Sequence, residues 1–379
     1  MTGVKHEGRG RSTGEGRPHG ARAIAVAAML TMTGCRVYDP ALLTAPSACA
    51  ALHPPARPAA MDSGEVEVAF GLRNVVLAQA DGWANYGYDL DDACTSAPTY
   101  AAECTPPSGG RPPVDGPGGV DNVFGALLYP LVALTTPRLE EQSRATIEAG
   151  LGLPIMRVRG WNGTPNDPRL DVSIMQAVFG APGSADLSPP PVPANPRTAR
   201  PAWDGRDWFW VRDDAFLRGS LESPLIRDDN AYIADGVFVA RLPDRVDIVF
   251  AAETNGVLVR ITGAVATGRL SADGLSLEEV RVSGRWAIND LLATARNIGV
   301  CEGERDYELL AGQLDRIADV RSTPGTGGPG VECNALSLGV GFTGTRVRVA
   351  GVAPGPELPD LCVGLDGGTP ADAGVGDGG

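Results

Sequence analysis

Oxygen-bearing side chains are concentrated in one short segment of the chain, which also holds two cysteines and several glycines. They are Asp89, Asp91, Asp115, Asp121 and Asn122. Calcium prefers carboxylate, amide and carbonyl oxygens, and glycine turns can aim backbone carbonyls at such an ion. The segment therefore predicts a Ca²⁺ site built from these five residues, although the spacing is not that of an EF-hand loop. The alternative interpretation is that the acids cap turns and the start of the helix that follows.

Tryptophans form the second candidate site. Trp203, Trp208 and Trp210 lie close together in the chain, next to Asp and Arg residues. Exposed indoles can stack on the CH faces of sugars while polar neighbours bond the hydroxyls, so these three residues are candidate ligand-binding residues. The alternative is a core strand. Alternation in a strand places Trp208 and Trp210 on one face and Phe209 on the other.

Missing residue types exclude several classes of enzyme. Lys5 is the only lysine, His6 and His19 lie in the N-terminal leader, and His53 lies in a Pro/Ala-rich stretch. A folded region without His or Lys excludes Ser-His-Asp and Cys-His catalysis, His-ligated zinc, Schiff-base chemistry and P-loop nucleotide binding. We therefore favour a non-enzymatic binding or structural domain and leave catalysis by carboxylates open.

Two alternative functions follow from the remaining residue types. A glycoside hydrolase or lyase would need two carboxylates in a groove, about 5–5.5 Å apart for a retaining enzyme or about 6.5–9.5 Å apart for an inverting one. Its nearest candidates are Asp213, Asp214, Asp228 and Asp229, although adjacent acids are usually solvated turn residues. An accessory subunit of an envelope complex is the other alternative, with the amphipathic stretch 303–320 as a docking face.

The N-terminus predicts export. A basic segment precedes a short apolar run, which is too short to span a bilayer and is typical of a signal peptide over 1–34. The run ends in Met32-Thr33-Gly34-Cys35, which resembles the lipobox of bacterial lipoproteins. The resemblance implies lipid attachment at Cys35. Position 36 is Arg rather than Asp, which favours the outer membrane or cell surface as the location.

Charge and cysteines agree with an exported protein. The net charge of −14 makes nucleic acid an unsuitable partner. The predicted lipid anchor implies contact with a membrane, and we expect a glycan or an envelope protein as ligand. The chain has seven cysteines, and an even number remains for disulfides if Cys35 is lipidated. Sequence alone does not choose among the pairings. Proximity along the chain favours Cys94–Cys104 and Cys301–Cys333, which leaves Cys49–Cys362.

Hydrophobic patterning predicts a mainly β protein, a jelly-roll-like β-sandwich with a few inserted helices. The predicted strands are 65–72, 155–161, 169–174, 208–210, 232–233, 237–239, 246–250, 257–261, 264–270, 276–285, 335–342 and 344–350. The predicted helices are 122–134, 137–149, 288–298 and 303–320. The predicted organisation is a tether over 35–62, a β-rich extracytoplasmic domain over 63–363 with a possible seam at 181–206, and a disordered acidic, Gly-rich tail over 364–379.

One extended signature spans the β-rich domain. It contains Gly-Tyr-Asp-Leu-Asp at 87–91, a Cys pair, and Asp-Gly-x-x-Gly-x-Asp-Asn-x-x-Gly leading to Gly125. It continues through Gly-Trp-Asn-Gly at 160–163, Trp-Asp-Gly-x-Asp-Trp at 203–208 and Cys-Asn-Ala-Leu-Ser at 333–337. The signature resembles lipoproteins of GC-rich, predatory-type soil bacteria whose function is unknown. The resemblance implies a class and a location, and it implies no chemistry.

Overall fold

Runs of β-branched and aromatic residues form ten strands in the described part of the chain. The computed structural model describes residues 50–59, 64–97, 100–181, 189–191, 199–251, 256–354 and 361–362. The strands are β1 (Val66–Val76), β2 (Leu153–Trp161), β3 (Asp167–Ala181), β4 (Trp208–Arg212), β5 (Ile226–Ala234), β6 (Val237–Arg241), β7 (Arg245–Ala251), β8 (Gly256–Leu270), β9 (Ser276–Ala287) and β10 (Ala335–Ala353). Each predicted strand is confirmed, and two predicted pairs, 257–261 with 264–270 and 335–342 with 344–350, merge into β8 and β10.

The predicted β-sandwich is wrong, because the strands close into an eight-stranded antiparallel barrel. The cycle runs β1–β2–β3–β5–β6–β8–β9–β10, and β10 pairs again with β1. A sandwich would need two separate sheets packed face to face. Here β8 and β10 continue through positions at which the sequence pattern suggested breaks. Irregular pairing, such as the register shift between Thr262 and Val265, bends such strands so that one sheet can curl until its ends meet.

The remaining elements lie around this barrel. Strand β4 pairs antiparallel with the end of β3 and parallel with the end of β10, and β7 pairs with β8. The α-helices are α1 (Tyr129–Thr135), α2 (Leu139–Glu148), α3 (Ile288–Asn297) and α4 (Arg305–Ile317). A π-helical turn over Phe124–Leu128 leads into α1, where Pro130 stands in the first turn and its missing N–H is tolerated. Among the helices that the structure describes, none has the length and apolarity needed to span a membrane.

One continuous hydrophobic core links strands from both halves of the chain. Phe70 of β1, Phe179 of β3 and Phe209 of β4 are fully buried in it, together with Val347 of β10. Residues before and after the stretch 181–206 thus share one core, and β3 and β4 pair directly across it. The possible seam in this stretch therefore does not divide the core.

The predicted cysteine pairing is wrong. Cys104 is joined to Cys333, and Cys301 is joined to Cys362. Cys94 is also disulfide-bonded, with none of these four as its partner. Proximity along the chain misled the prediction because a parallel bridge between Thr105 and Glu332 brings two distant segments together. Cys49, predicted to pair with Cys362, lies outside the described residues.

Part of the predicted tether packs on the barrel. The Leu52 N–H donates to Gly118 O (2.8 Å), and Leu52 O accepts the Asp89 N–H (3.0 Å). Further along, Pro55 O accepts the Tyr232 hydroxyl (2.7 Å). Residues 50–59 therefore cross directly over the acidic segment, which the low complexity of this stretch did not predict.

Candidate metal centre

The acidic segment folds into a loop that its own carboxylates hold. Asp89 Oδ1 accepts the Asp92 backbone N–H (2.7 Å), and Asp91 Oδ1 accepts the Ala93 N–H (2.8 Å). The other oxygen of Asp91 accepts the Glu103 N–H (3.2 Å). Short Asp side chains commonly bond nearby backbone in this manner. Turn capping thus accounts for part of the hydrogen bonding, and the oxygens that remain decide whether the loop can hold an ion.

The second half of the segment meets the first across a short antiparallel bridge between Tyr88 and Asp121. Asp121 Oδ2 accepts the Leu90 N–H (2.7 Å), and Asp115 Oδ2 accepts the Thr95 N–H (2.5 Å). The bridge therefore brings acids that are about thirty positions apart in the chain to one point.

Three of the predicted ligands converge. One carboxylate oxygen each from Asp89, Asp91 and Asp121 lies within 4.8 Å of the other two. Asp115 lies beside this group, close enough for its charge to raise the pKa of Asp121. Such spacing suits three oxygens around one hard cation, for which calcium–oxygen distances are about 2.3–2.6 Å. We call Asp89, Asp91, Asp115 and Asp121 the acidic cluster.

Asn122 does not join the acidic cluster, because its amide is used elsewhere. Its Nδ2 donates to Gln79 Oε1 (2.7 Å) and to Trp83 O (2.9 Å). Its Oδ1 accepts the N–H groups of Gly125 (3.0 Å) and Gly339 (2.9 Å). These bonds tie the start of the π-helical turn to β10, so we leave Asn122 out of the candidate ligand set.

One buried oxygen of the acidic cluster has no hydrogen-bond partner among the described residues. It is Oδ2 of Asp89, which is only 6 % exposed. Gly119 lies against it with φ +69°, and a Cβ there would stand 2.7 Å from this oxygen and 2.9 Å from Ala93 O. A buried, unpaired carboxylate oxygen is strongly unfavourable, and a bound cation would satisfy it. The absent side chain at Gly119 leaves the space beside it open.

The electrostatics of the acidic cluster favour a positive charge. Burial raises the pKa values of Asp89 and Asp91, and it raises the pKa of Asp121 well above its ordinary value. Burial also raises the pKa values of Asp115 and the neighbouring Asp319 to about 7. Repulsion from a nearby acid adds to burial in each case. A divalent cation would relieve both causes by keeping the carboxylates ionised.

A buried arginine provides part of the counter-charge. The Arg285 side chain, which is 1 % exposed, donates to Glu103 Oε2 (2.6 Å), to Arg321 O (2.8 Å) and to Leu90 O. Glu103 also accepts the Arg321 N–H (3.0 Å). Glu103 is thus the direct ionic partner of Arg285, and the Arg285 charge also lowers the pKa of Asp91, although burial outweighs this effect.

Sequence reasoning missed Glu103, Arg285 and Asp319. Asp319 accepts the Ser337 N–H (2.8 Å) and bonds the Ser337 hydroxyl, whose oxygen accepts the Val123 N–H (2.8 Å). Arg285 did carry a signal, because it stands among apolar residues in β9. Nothing local connects it or Asp319 to the acidic segment, since they lie about two hundred positions further along the chain.

A cavity of about 300 Å³ borders the acidic cluster. Its walls include Asp89, Arg285, Tyr88, Arg241 and His53. His53 Nε2 lies 3.4 Å from Asp92 Oδ1, so the histidine that the sequence placed in a tether stands beside the folded domain. Asp89 is the member of the acidic cluster that lines this cavity.

The tryptophans occupy three different settings. The Trp203 ring packs on Phe209 and lies under the Arg73 guanidinium (4.6 Å). Trp208 is 9 % exposed, and Trp210 is partly exposed. The alternation expected for β4 is confirmed, because Phe209 faces the core and is fully buried. The role of the three tryptophans in ligand binding remains a prediction.

The acids proposed for glycoside cleavage serve local structure. Asp214 pairs with Arg212, and Asp213 lies in the same short turn. Asp228 accepts the N–H groups of Asn230 (2.9 Å) and Arg241 (2.7 Å). Asp229 is exposed on β5.

In α4 of the stretch 303–320, Leu314 is fully buried and Leu309 is 54 % exposed. A docking role for this helix remains a prediction.

Several predicted features lie outside the described residues: Cys35 and Cys49, the signal peptide over 1–34 and the tail over 364–379. Comparisons of the chain with protein-family models, with curated proteins and with solved structures gave no match.

Proposed function

We propose that this chain is an exported envelope lipoprotein whose barrel is a non-enzymatic binding or structural domain supported by Ca²⁺. Two observations carry the metal proposal: the carboxylates of Asp89, Asp91 and Asp121 converge, and the buried Oδ2 of Asp89 has no hydrogen-bond partner among the described residues. Calcium suits the site better than zinc, because the cluster offers only hard oxygen ligands. The cation would join residues 87–94 to Asp121 and thereby hold the loop, and the strap of residues 50–59 above it, against the barrel.

Calcium should raise the melting temperature of the full chain. A ligand at about 100 times its Kd stabilises the native state by about 2.7 kcal/mol, which corresponds to a rise on the order of 5 °C for a domain of this size. Asp89→Asn should abolish this rise. The variant should also melt above the parent in chelator at pH 7.5, because it removes an uncompensated buried charge. Scanning fluorimetry with CaCl₂, MgCl₂ or chelator measures both effects, and an unchanged melting temperature in CaCl₂ would disprove the metal proposal.

Two glycine variants separate blockage of the site from backbone strain. Gly119 and Gly109 have nearly equal φ angles of +69° and +70°, so alanine is similarly strained at either position. A Cβ at Gly119 would collide with the Asp89 carboxylate, whereas a Cβ at Gly109 meets nothing within 4 Å. We expect Gly119→Ala to lose the calcium response and Gly109→Ala to keep it. Equal responses would show that Gly119 does not border the ion.

Export and lipidation rest on the signal-like N-terminus and are supported by the disulfides, which are typical of oxidising compartments. The resemblance to predatory-type soil-bacterial lipoproteins fits the same proposal. Cells fed an alkyne-tagged fatty acid should label the parent protein and should not label Cys35→Ser, because serine offers no thiol for the lipid. An unlabelled parent protein retaining its leader in the cytosol would overturn this part of the proposal.

A further inference from the structure

The outer face of β4 carries two tryptophans. Phe209 points inward and packs against the Phe179 ring at 5.5 Å. Trp208 and Trp210 therefore point to the opposite face of the sheet. On β10, Arg348 pairs in register with Trp208, and Gly351 pairs with Trp210. This outer face is separate from the acidic cluster and has no role in the metal site.

Trp210 lies across the sheet over two glycines. A Cβ at Gly351 would stand 2.7 Å from Cζ3 of the indole, and a Cβ at Gly180 would stand 2.8 Å from Cδ1. These glycines belong to the two strands that flank β4, so the ring spans from one neighbour to the other. Any other residue at either position would lift the ring off the sheet. The indole is partly exposed in this position.

Two arginines of β10 lie on the same face of the sheet as Trp208 and Trp210. The Arg348 guanidinium carbon lies 5.4 Å from the centre of the Trp208 ring, and Arg346 precedes it by two positions on the same face of β10. Neither arginine forms an ion pair with the described residues, although the chain as a whole is acidic. One guanidinium nitrogen of Arg348 is also buried without a hydrogen-bond partner among the described residues. The face that carries Trp208, Trp210, Arg346 and Arg348 thus combines a flat apolar surface with uncompensated positive charge.

We propose that this face binds a carboxylated pyranose, a uronic-acid unit of an acidic polysaccharide. The CH face of the sugar would stack on Trp210, and its carboxylate would pair with Arg348, supported by Arg346. Arginine matches a carboxylate with two parallel hydrogen bonds, which selects an acidic sugar over a neutral one. The inference rests on the proposed binding role of the domain and names the class of ligand.

Titration calorimetry of the full chain with trigalacturonic acid tests the proposal, with maltotriose as the neutral arm and the same calcium concentration in both. We expect binding of the acidic trisaccharide alone. Arg348→Gln should weaken it at least tenfold. Arg316→Gln, which removes an equal charge from the exposed side of α4, should leave it unchanged. Trp210→Ala should abolish binding, and Trp210→Phe, which keeps an aromatic ring on the glycines, should retain part of it.

Three results would overturn the inference: no heat with trigalacturonic acid, equal binding of maltotriose, or equal weakening by the two arginine variants. The melting temperature in calcium separates the two proposals. A protein that calcium stabilises but that ignores the acidic sugar refutes the ligand class alone. A protein that binds the sugar without any response to calcium refutes the metal site alone.

Discussion

Replacing Cys104 and Cys333 together by alanine is expected to lower the free energy of unfolding by about 5 kcal/mol. The bond closes a loop of 229 positions, and the entropy that a cross-link removes from the unfolded chain grows with loop length. Both cysteines are buried, so alanine avoids placing a hydroxyl in the core. Urea unfolding of the parent and the variant measures the loss. A loss below about 1 kcal/mol would contradict the expectation.

The second disulfide provides a matched control. Replacing Cys301 and Cys362 by alanine opens a loop of 61 positions and should lower stability by about 4 kcal/mol. Only the first bond adjoins Glu103, which holds Arg285 beside the acidic cluster. We therefore expect the Cys104/Cys333 variant to lose most of the calcium response and the Cys301/Cys362 variant to keep it. Equal calcium responses would show that the ion does not depend on this cross-link.

In the presence of a chelator, the contribution of Asp319 to the free energy of unfolding should decline as the pH rises from about 4 to about 7. Burial raises the pKa of Asp319 to about 7 from the ordinary value of 3.8. Between these values the folded protein holds a proton that the unfolded chain has released, so raising the pH favours unfolding. The effect of this single group reaches about 4 kcal/mol above pH 7 and is absent below pH 4.

Asp319→Asn isolates this effect. In the parent, Asp319 accepts the Ser337 N–H at Oδ1 and the Ser337 hydroxyl at Oδ2. The neutral amide can keep the first bond and can donate its own N–H to the Ser337 oxygen in place of the second. The stability of the variant relative to the parent should therefore grow as the pH rises through this window, measured by urea unfolding at each pH. The control is Asp273→Asn. Bonds from Ser271 and the Leu275 N–H lower the pKa of exposed Asp273, so the relative stability of this variant should not grow as the pH rises through the window. If the relative stability of Asp319→Asn is flat with pH, the buried acid is ionised throughout.

The positions of the secondary-structure elements could be predicted because their signals are local. Alternation in 169–174 and the Asp235-Gly236 turn each involve neighbours in the chain, and both lie where the patterns indicated. The sandwich prediction failed at a different level. Whether one sheet folds onto another or curls shut depends on the pairing of β1 with β10, which lie about 270 positions apart. No turn signal or periodicity reports such a contact.

For the acidic cluster, too, one part could be predicted from the sequence and one part could not. Asp89, Asp91, Asp115 and Asp121 were identifiable because carboxylates and glycines crowd one segment. Whether they merely cap turns or also converge depended on the bridge at Tyr88.

By itself, the sequence determined residue chemistry: which oxygens are available, which catalytic groups are missing, and which stretches form strands. The tertiary structure alone decided the closure of the barrel, the cysteine partners, and the meeting of Arg285, Glu103 and Asp319 with the cluster. The reason is physical: local preferences act within a few residues, whereas burial and long-range pairing depend on which distant segments the whole core brings together.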